Sequence, residues 1–196
     1  MAIRCHQCRR EYDVTLFQFG RTIHCACGAR VGLKARVGPE VTHSEPRFMV
    51  DAMLGGLARW LRILGFDTAY DPAIPDDELA RRGLVEGRHI LTRDRSFPEE
   101  WRVASCTILE HDDVDTQLRE VLERFNLKEK IRLFSRCGAC NTPLEPLSRE
   151  EARDRVPPRV LENCDDFANC PGCGRAYWEG THTRRMRARL RSVLES

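Results

Sequence analysis

Residues 47–71 read RFMVDAMLGGLARWLRILGFDTAYD, in which a short apolar run ends in the acid Asp51. After this run, apolar side chains recur at the spacing of an α-helix: Leu54, Leu57, Ala58, Leu61 and Leu64. Arg59 and Arg62 fall on the opposite face. The stretch therefore predicts a strand followed by an amphipathic helix, and its last residues, FDTAYD, predict a second short strand.

The same alternation continues towards the C-terminus. The sequence predicts helices in DDELARRGLVEG (76–87) and VDTQLREVLERFNL (114–127), with strands in HILTRD (89–94) and TILEHDD (107–113). Gly83 costs about 1 kcal/mol of helix propensity relative to alanine, which questions the regularity of its helix. Strands that alternate with helices indicate an α/β fold with a parallel sheet covered on both sides.

Several acids end these strands or begin a helix. Asp51 and Asp94 end two strands, Asp76 starts a helix, and Asp112 follows the next strand. Ligands of an open parallel sheet collect beyond the carboxyl ends of its strands. Crowded carboxylates need divalent cations, and oxygen-only ligands favour Mg²⁺ or Mn²⁺, which hydrolyse phosphodiesters in two-metal sites. Asp71 is a further candidate, and an aspartate after a strand is also a common turn former or helix N-cap.

Two residues beside Asp94 are candidates for contact with a scissile phosphate. These are Thr92 and Arg93. A threonine at the end of a strand is equally explained by β-propensity.

The ten cysteines favour metal ligation over disulfides, because no export signal precedes them. One set has two CxxC pairs, Cys137 with Cys140 and Cys170 with Cys173. Four thiolates close the coordination of a tetrahedral zinc, so this site is expected to be structural.

A second cysteine set lies near the N-terminus. Its members are Cys5, Cys8, Cys25 and Cys27, and the last two are separated by one residue rather than two. A zinc ribbon remains the best interpretation, with His6 or His24 as alternative ligands. Cys106 and Cys164 are left over and are interpreted as small buried hydrophobic residues.

These patterns divide the chain into five segments. They are an N-terminal zinc ribbon (1–36) with a strand in EYDVTLFQF, a linker (37–46), an α/β core (47–134), a C-terminal zinc ribbon (135–181) and a basic helical tail (182–196). A chain of 196 residues can hold one well-buried core with small satellites. No run approaches the ~20 consecutive apolar residues of a membrane span, so we expect a cytoplasmic protein without a membrane partner.

Charge is distributed unevenly along the chain. Residues 181–196 carry five arginines and one glutamate, whereas residues 48–134 carry thirteen basic and seventeen acidic side chains. This pattern is expected if basic residues at the ends of the chain hold a polyanion and acidic residues in its centre bind cations. The candidates for nucleic-acid contact are Arg59, Arg93, Arg184, Arg185 and Arg187. A solvated helix end is the alternative for the last three, and Tyr177 and Trp178 either stack on a base or pack against the ribbon.

Four stretches resemble, in order, the motifs of the Mut-seven C-terminal RNase domain family. They are RFMVDAMLGGLARWLRILGFDTAYD, IPDDELARRGLVEGRHILTRD, RCGACNTPLEPLSREEARDRVPPRV and CPGCGRAYWEGTHTRRM, within about residues 47–186. The resemblance implies a PIN-like α/β fold, hydrolysis of RNA with Mg²⁺ or Mn²⁺, and a zinc ribbon held by the Cys137 set. It supports Asp51, Asp76 and Asp94 as metal ligands, and Asp112 is assigned as the fourth acid. The N-terminal ribbon lies outside the resemblance.

Two functions are expected from this sequence. The first is a metal-dependent ribonuclease with a carboxylate cluster and two structural zinc ions. The alternative is a non-catalytic module on a PIN-like scaffold, which binds RNA, a ribosome or a protein partner through its ribbons. The sequence does not distinguish RNA from DNA, because that choice rests on contacts with the 2′-hydroxyl.

Overall fold

A computed structural model describes residues 2–38 and 46–195, so most of the predicted linker lies outside the described residues. The chain divides into two compact units. The first comprises Met1–Ala58 and Thr68–Glu110, and the second comprises Arg59–Asp67 and His111–Ser196. The five-segment division made from the sequence stays a prediction.

The first unit holds the N-terminal ribbon and the parallel sheet. Its elements in chain order are β1 (Ala2–Arg4), β2 (Glu11–Asp13), β3 (Ile23–His24), β4 (Arg30–Val31), β5 (Phe48–Val50), α1 (Gly55–Ile63), β6 (Thr68–Tyr70), α2 (Asp76–Val85), β7 (His89–Thr92), α3 (Phe97–Glu100) and β8 (Cys106–Ile108). Helix α1 passes from the first unit into the second after Ala58.

Strands β6, β5, β7 and β8 form a parallel sheet in that order. All three residues of β5 are buried, as expected of a central strand covered on both faces. On one face, α2 packs against β5 and β7, and Met49, Leu79 and Ile90 share a buried apolar cluster. The predicted α/β fold with a parallel sheet is therefore confirmed. The strand order reverses at β5, because the chain places β6 on one side of it and β7 on the other.

Helix α2 is regular through Gly83, contrary to the doubt raised by its propensity. A Cβ atom at this position would lie 2.6 Å from the Cγ1 and Cδ1 atoms of Ile90. The glycine is therefore required by the close packing of α2 on β7, not by a break in the helix.

The strand predicted in EYDVTLFQF is wrong beyond Asp13. Only β2 is extended, and Val14–Gly20 forms 3₁₀ turns that begin where the Asp13 carboxylate accepts a hydrogen bond of 2.8 Å from the Thr15 amide. Phe17 is buried in the small core of the ribbon, and the chain then reverses through Phe19 and Gly20, which both have positive φ. The alternation of apolar residues thus reflects a compact turn with one buried aromatic ring.

The N-terminal ribbon is hydrogen-bonded to the segment between α3 and β8. The Arg102 amide donates to the Gly20 carbonyl (2.8 Å), and the Val37 amide donates to the Arg102 carbonyl (2.7 Å). The Thr22 amide donates to the Glu100 carbonyl (2.7 Å). A Cβ atom at Gly20 would lie 2.8 Å from the Arg102 carbonyl oxygen, so only glycine allows this approach. The ribbon is part of the first unit.

The second unit holds the C-terminal ribbon and two longer helices. Its further elements are α4 (Val114–Arg124), β9 (Glu145–Leu147), α5 (Arg149–Ala152), α6 (Pro158–Asn163), β10 (Phe167–Asn169), β11 (Ala176–Trp178) and α7 (Thr181–Glu195). Strands β9, β10 and β11 form an antiparallel sheet with β10 in the centre. The predicted basic helix is confirmed as α7, which packs against α4.

Side-chain contacts hold these elements of the second unit together. Arg189 of α7 forms an ion pair of 2.9 Å with Asp115 of α4 and lies 5.4 Å from the ring of Trp60. Arg62 donates to the Ala139 carbonyl (2.7 Å), which ties α1 to the first cysteine knuckle of the ribbon. Within the described part of the chain, no helix is long and apolar enough to cross a membrane.

Candidate active site and zinc centres

Asp51 and Asp94 are connected through one hydroxyl group at the reversal of strand order. Asp51 follows β5, and Thr92 ends the neighbouring strand β7. The Thr92 hydroxyl donates to Asp51 Oδ2 (2.6 Å) and accepts from the Asp94 amide (2.9 Å). Asp51 is only 6% exposed and Thr92 is fully buried, so this arrangement is fixed within the sheet. The carboxyl ends of β5 and β7 therefore lie side by side, as expected of neighbouring parallel strands.

Ser96 fixes the carboxylate of Asp94. Its amide and its hydroxyl both donate to Asp94 Oδ1, at 2.7 and 2.8 Å. The second carboxylate oxygen, Oδ2, lies 3.0 Å from the same hydroxyl. Sequence reasoning missed Ser96, although an aspartate followed two residues later by serine is a known turn pattern. These contacts preorganise Asp94 without engaging it in an ion pair.

Asp76 lies in the electrostatic field of the same acids. It is the first residue of α2, and its side chain is exposed. Partial burial raises the pKa of Asp76, and the negative charges of Asp51, Asp94, Glu100 and Asp77 raise it further, in that order. Glu100 was not found from the sequence, because the four-residue helix α3 that carries it has no periodic pattern.

The carboxylates of Asp51, Asp76 and Asp94 interact electrostatically, but their oxygen atoms do not form a compact cluster. Among the described residues, three or more potential ligand atoms lie within 4.8 Å of one another only in two cysteine sets. The negative charges of Asp51 and Asp94 oppose ionisation of Asp76, and a cation between these carboxylates would relieve the repulsion. Such uncompensated negative charge, offered by oxygen atoms alone, suits a hard divalent cation.

Asp112 belongs to the second unit, in the exposed loop before α4. The backbone carbonyl of Asp112 accepts a hydrogen bond of 3.3 Å from the Gln117 side chain. Its neighbour Asp113 has a structural role, because its carboxylate accepts from the Thr116 amide (2.9 Å) and caps α4. The assignment of Asp112 as a fourth acidic ligand stays a prediction.

The predicted nucleic-acid contacts fall on three elements. Arg93 is half-buried directly after β7, and Arg59 is exposed on α1. Arg184 and Arg185 are exposed on α7, whereas the guanidinium of Arg187 lies 5.3 Å from the centre of the Phe134 ring.

The eight predicted cysteine ligands form two compact sets of four. Cys137 Sγ lies 3.6 Å from Cys173 Sγ, and Cys140 Sγ lies 3.3 Å from Cys170 Sγ. The N-terminal set has the same geometry, with Cys5 3.6 Å from Cys27 and Cys8 3.3 Å from Cys25. Zinc–sulfur bonds of about 2.3 Å in a tetrahedron separate two sulfurs by about 3.8 Å, so both sets fit structural zinc.

Two neighbouring thiols of the C-terminal set have pKa values shifted in opposite directions. Burial opposes ionisation of Cys140, but hydrogen bonds with the hydroxyl and amide of Thr142 lower its pKa to about 6. Burial raises the pKa of Cys170, 3.3 Å away, to about 12. The two neighbouring sulfurs thus differ in their tendency to ionise, whereas a bound zinc would stabilise all four as thiolates.

The other polar residues near these sets do not join them. His6 and His24 are exposed and belong to neither cysteine set. Cys106 packs against the core of the first unit, and Cys164 packs against the core of the C-terminal ribbon. Both cysteines are half-buried rather than buried as expected, but they pack against apolar clusters as the sequence interpretation requires.

Comparison with known proteins identifies the family of the chain. The Mut7-C RNAse domain matches residues 46–190. The chain belongs to this family. The human protein "Exonuclease mut-7 homolog" is 34% identical over 120 residues, which cover 57% of this chain and 13% of that protein. No solved structure matches the chain.

Membership of the Mut7-C RNAse domain family confirms the resemblance seen in the sequence. It supports a nuclease-type function with RNA as the substrate class. The matched residues include Asp51, Asp76, Asp94 and Asp112 and the cysteine set that begins at Cys137. The N-terminal cysteine set lies outside the Mut7-C match.

Proposed function

We propose that this Mut7-C RNAse domain hydrolyses RNA phosphodiester bonds with a divalent cation held by Asp51, Asp76 and Asp94. The main support is the hydrogen-bonded series from Asp51 through Thr92 to Asp94, at the reversal of strand order in a parallel sheet. A purely structural role would not require a buried carboxylate beside Asp76 and Asp94, which form no ion pair with any residue of 2–38 or 46–195.

Each residue has a distinct task in this proposal. Thr92 donates to Asp51 and thereby leaves the other carboxylate oxygen, Oδ1, for a cation. Ser96 orients Asp94. Asp76 brings a third carboxylate from the first turn of α2. Bound Mg²⁺ or Mn²⁺ would supply a Lewis acid for the phosphate and lower the pKa of the attacking water.

Two further residues are proposed for this reaction. Arg93, next to Asp94, would contact the scissile phosphate through its planar guanidinium group. Asp112 would supply a fourth acidic oxygen.

The proposal is tested by measuring RNA cleavage by the zinc-loaded chain with Mg²⁺, with Mn²⁺ and without added divalent cation. Single-stranded and folded RNA of mixed sequence are compared, with single-stranded DNA of the same sequence beside them. We expect cleavage of RNA only when Mg²⁺ or Mn²⁺ is present. RNA that is bound but uncut in every condition would instead support the alternative, a binding module on the same scaffold.

Replacing Thr92 with valine is expected to lower the cleavage rate about tenfold or more. Valine keeps the shape of threonine but removes a hydrogen bond to a charged group, which contributes about 1.5–3 kcal/mol. Thr92→Ser keeps the hydroxyl and serves as the control. Single-turnover cleavage at saturating Mn²⁺ measures the effect, and equal rates for the valine and serine variants would contradict the role given to Thr92.

A further inference from the structure

A cavity of about 440 Å³ lies within the second unit. Residues of α1, of both cysteine knuckles of the C-terminal ribbon and of the first turns of α7 line it. Its basic and aromatic side chains are those of Arg59, Arg136, Arg175, His182, Phe134 and Tyr177. None of the described residues that line it is acidic. The cavity is therefore a concentration of positive charge beside two aromatic rings.

The three arginines differ in how they are held. Arg136 donates to the Asn141 carbonyl (2.9 Å) and lies 4.0 Å from Asp67, which fixes its guanidinium. Arg59 and Arg175 are exposed, and neither has an ion-pair partner among residues 2–38 and 46–195. Two guanidinium groups are thus available to an anion, and one is already positioned.

Helix α7 adds to the positive potential. It starts at Thr181, and its first turn carries no acidic side chain. His182 and Thr183 of this turn line the cavity. The amide groups at the start of a helix carry a partial positive charge, which favours an anion at this end.

The aromatic rings are held in place before any ligand binds. The Phe134 amide donates to the Ile63 carbonyl (2.8 Å), and φ of Phe134 is 60°, a conformation that a bulky residue rarely adopts. The hydroxyl of Tyr177 lies 2.9 Å from Cys137 Sγ, so the zinc knuckle fixes this ring. A strained backbone that presents an aromatic ring to a cavity is a feature of binding sites.

We propose that this cavity binds one nucleotide of a single-stranded RNA, with its phosphate at Arg59, Arg136 and Arg175 and its base against Phe134 or Tyr177. The choice of RNA as the ligand rests on the proposed function. Planar guanidinium groups bind phosphate through paired hydrogen bonds, and aromatic rings stack on bases of any sequence. The volume falls in the range of cavities that enclose a ligand of nucleotide size.

The test measures RNA affinity without cleavage. A fluorescently labelled single-stranded RNA of mixed sequence is titrated with the zinc-loaded Asp51→Asn/Asp94→Asn chain in the absence of added divalent cation. The same titration is made with Arg59→Ala/Arg175→Ala in that background. The control pair, Arg153→Ala/Arg159→Ala, removes the same charge from exposed positions of the ribbon outside the cavity.

We expect the cavity pair to weaken binding about tenfold and to reduce the slope of log K against log salt by about 0.7, the contribution of one single-strand phosphate contact. The control pair should change the dissociation constant less than about twofold. Phe134→Leu should weaken binding about tenfold with an unchanged salt slope, because stacking releases no counterions.

The cavity would not be an RNA site if the two arginine pairs weakened binding equally. The same conclusion would follow if the Asp51→Asn/Asp94→Asn chain did not bind RNA. Because no cleavage enters the measurement, either result leaves the proposed nuclease reaction to its own test. Conversely, the cavity proposal would stand without the nuclease proposal if the chain never cut RNA but the cavity pair alone weakened RNA binding.

Discussion

Replacing Asp51 and Asp94 together with asparagine is expected to lower the rate of RNA cleavage about 10³-fold, the scale of losing an electrostatic catalytic group. Asparagine keeps the size of each side chain and an oxygen that accepts the hydrogen bonds of Thr92 and Ser96. It removes the two negative charges that the proposed cation needs. Single-turnover cleavage with saturating Mn²⁺ measures the rate, and fluorescence anisotropy measures RNA affinity, which should not decrease.

A matched pair of substitutions controls for the loss of charge. Asp154→Asn/Asp166→Asn removes two carboxylates from exposed positions that were not candidates for the acidic site. This variant should cleave RNA within about twofold of the parent rate, as surface substitutions usually do. Full activity in the Asp51/Asp94 variant, or an equal loss in both pairs, would contradict the proposed site.

The strand ends could be predicted because buried strands have a simple sequence signal. Phe48–Val50 is a short apolar run and His89–Thr92 has an apolar centre, and an acid follows each strand directly or after a single residue. That β5 and β7 are neighbours, with β6 on the other side, depends on pairing between residues about 40 positions apart. Periodicity contains no information on such pairing, although the rule for parallel sheets made the shared crevice a reasonable expectation.

The residues that surround these acids were less predictable from the sequence. Thr92 was expected to contact phosphate, whereas in the structure its hydroxyl joins Asp51 to Asp94. A threonine at a strand end has the same local signal in both roles. Glu100 is an electrostatic neighbour of Asp76 although the two residues are far apart in the chain, and no local pattern indicates this proximity.

The N-terminal ribbon was also only partly predictable from the sequence. Its cysteine spacing predicted a small zinc site correctly, because two closely spaced pairs can surround one ion regardless of the wider fold. Its attachment through Gly20, Thr22 and Val37 to residues 100–104 consists mainly of backbone hydrogen bonds between positions about 65–80 apart. Backbone hydrogen bonds leave no pattern in the amino-acid sequence. The sequence therefore suggests a separate ribbon domain, whereas in the structure the ribbon is part of the first unit.

Replacing Cys137 with serine is expected to reduce the zinc content from two ions per chain to one and to lower the free energy of unfolding by about 4 kcal/mol or more, as loss of a metal site does. Cys137 is fully buried, and its sulfur contacts the Cys140 amide (3.4 Å) and the Tyr177 hydroxyl (2.9 Å). Serine offers a shorter and harder ligand that does not reach the position of the sulfur. Urea unfolding and measurement of bound zinc check both expectations.

Cys164→Ser is the matched control for this change. Cys164 is a half-buried cysteine of the same unit whose sulfur lies 3.1 Å from the Glu179 carbonyl, outside the cysteine set. It should keep two zinc ions and most of the stability. If both serine variants bound two zinc ions, Cys137 would not be a ligand. If Cys137→Ser lost zinc but not stability, the small apolar core around Leu147 and Phe167 would hold the ribbon without metal, contrary to the coupling of zinc binding and folding expected at this size.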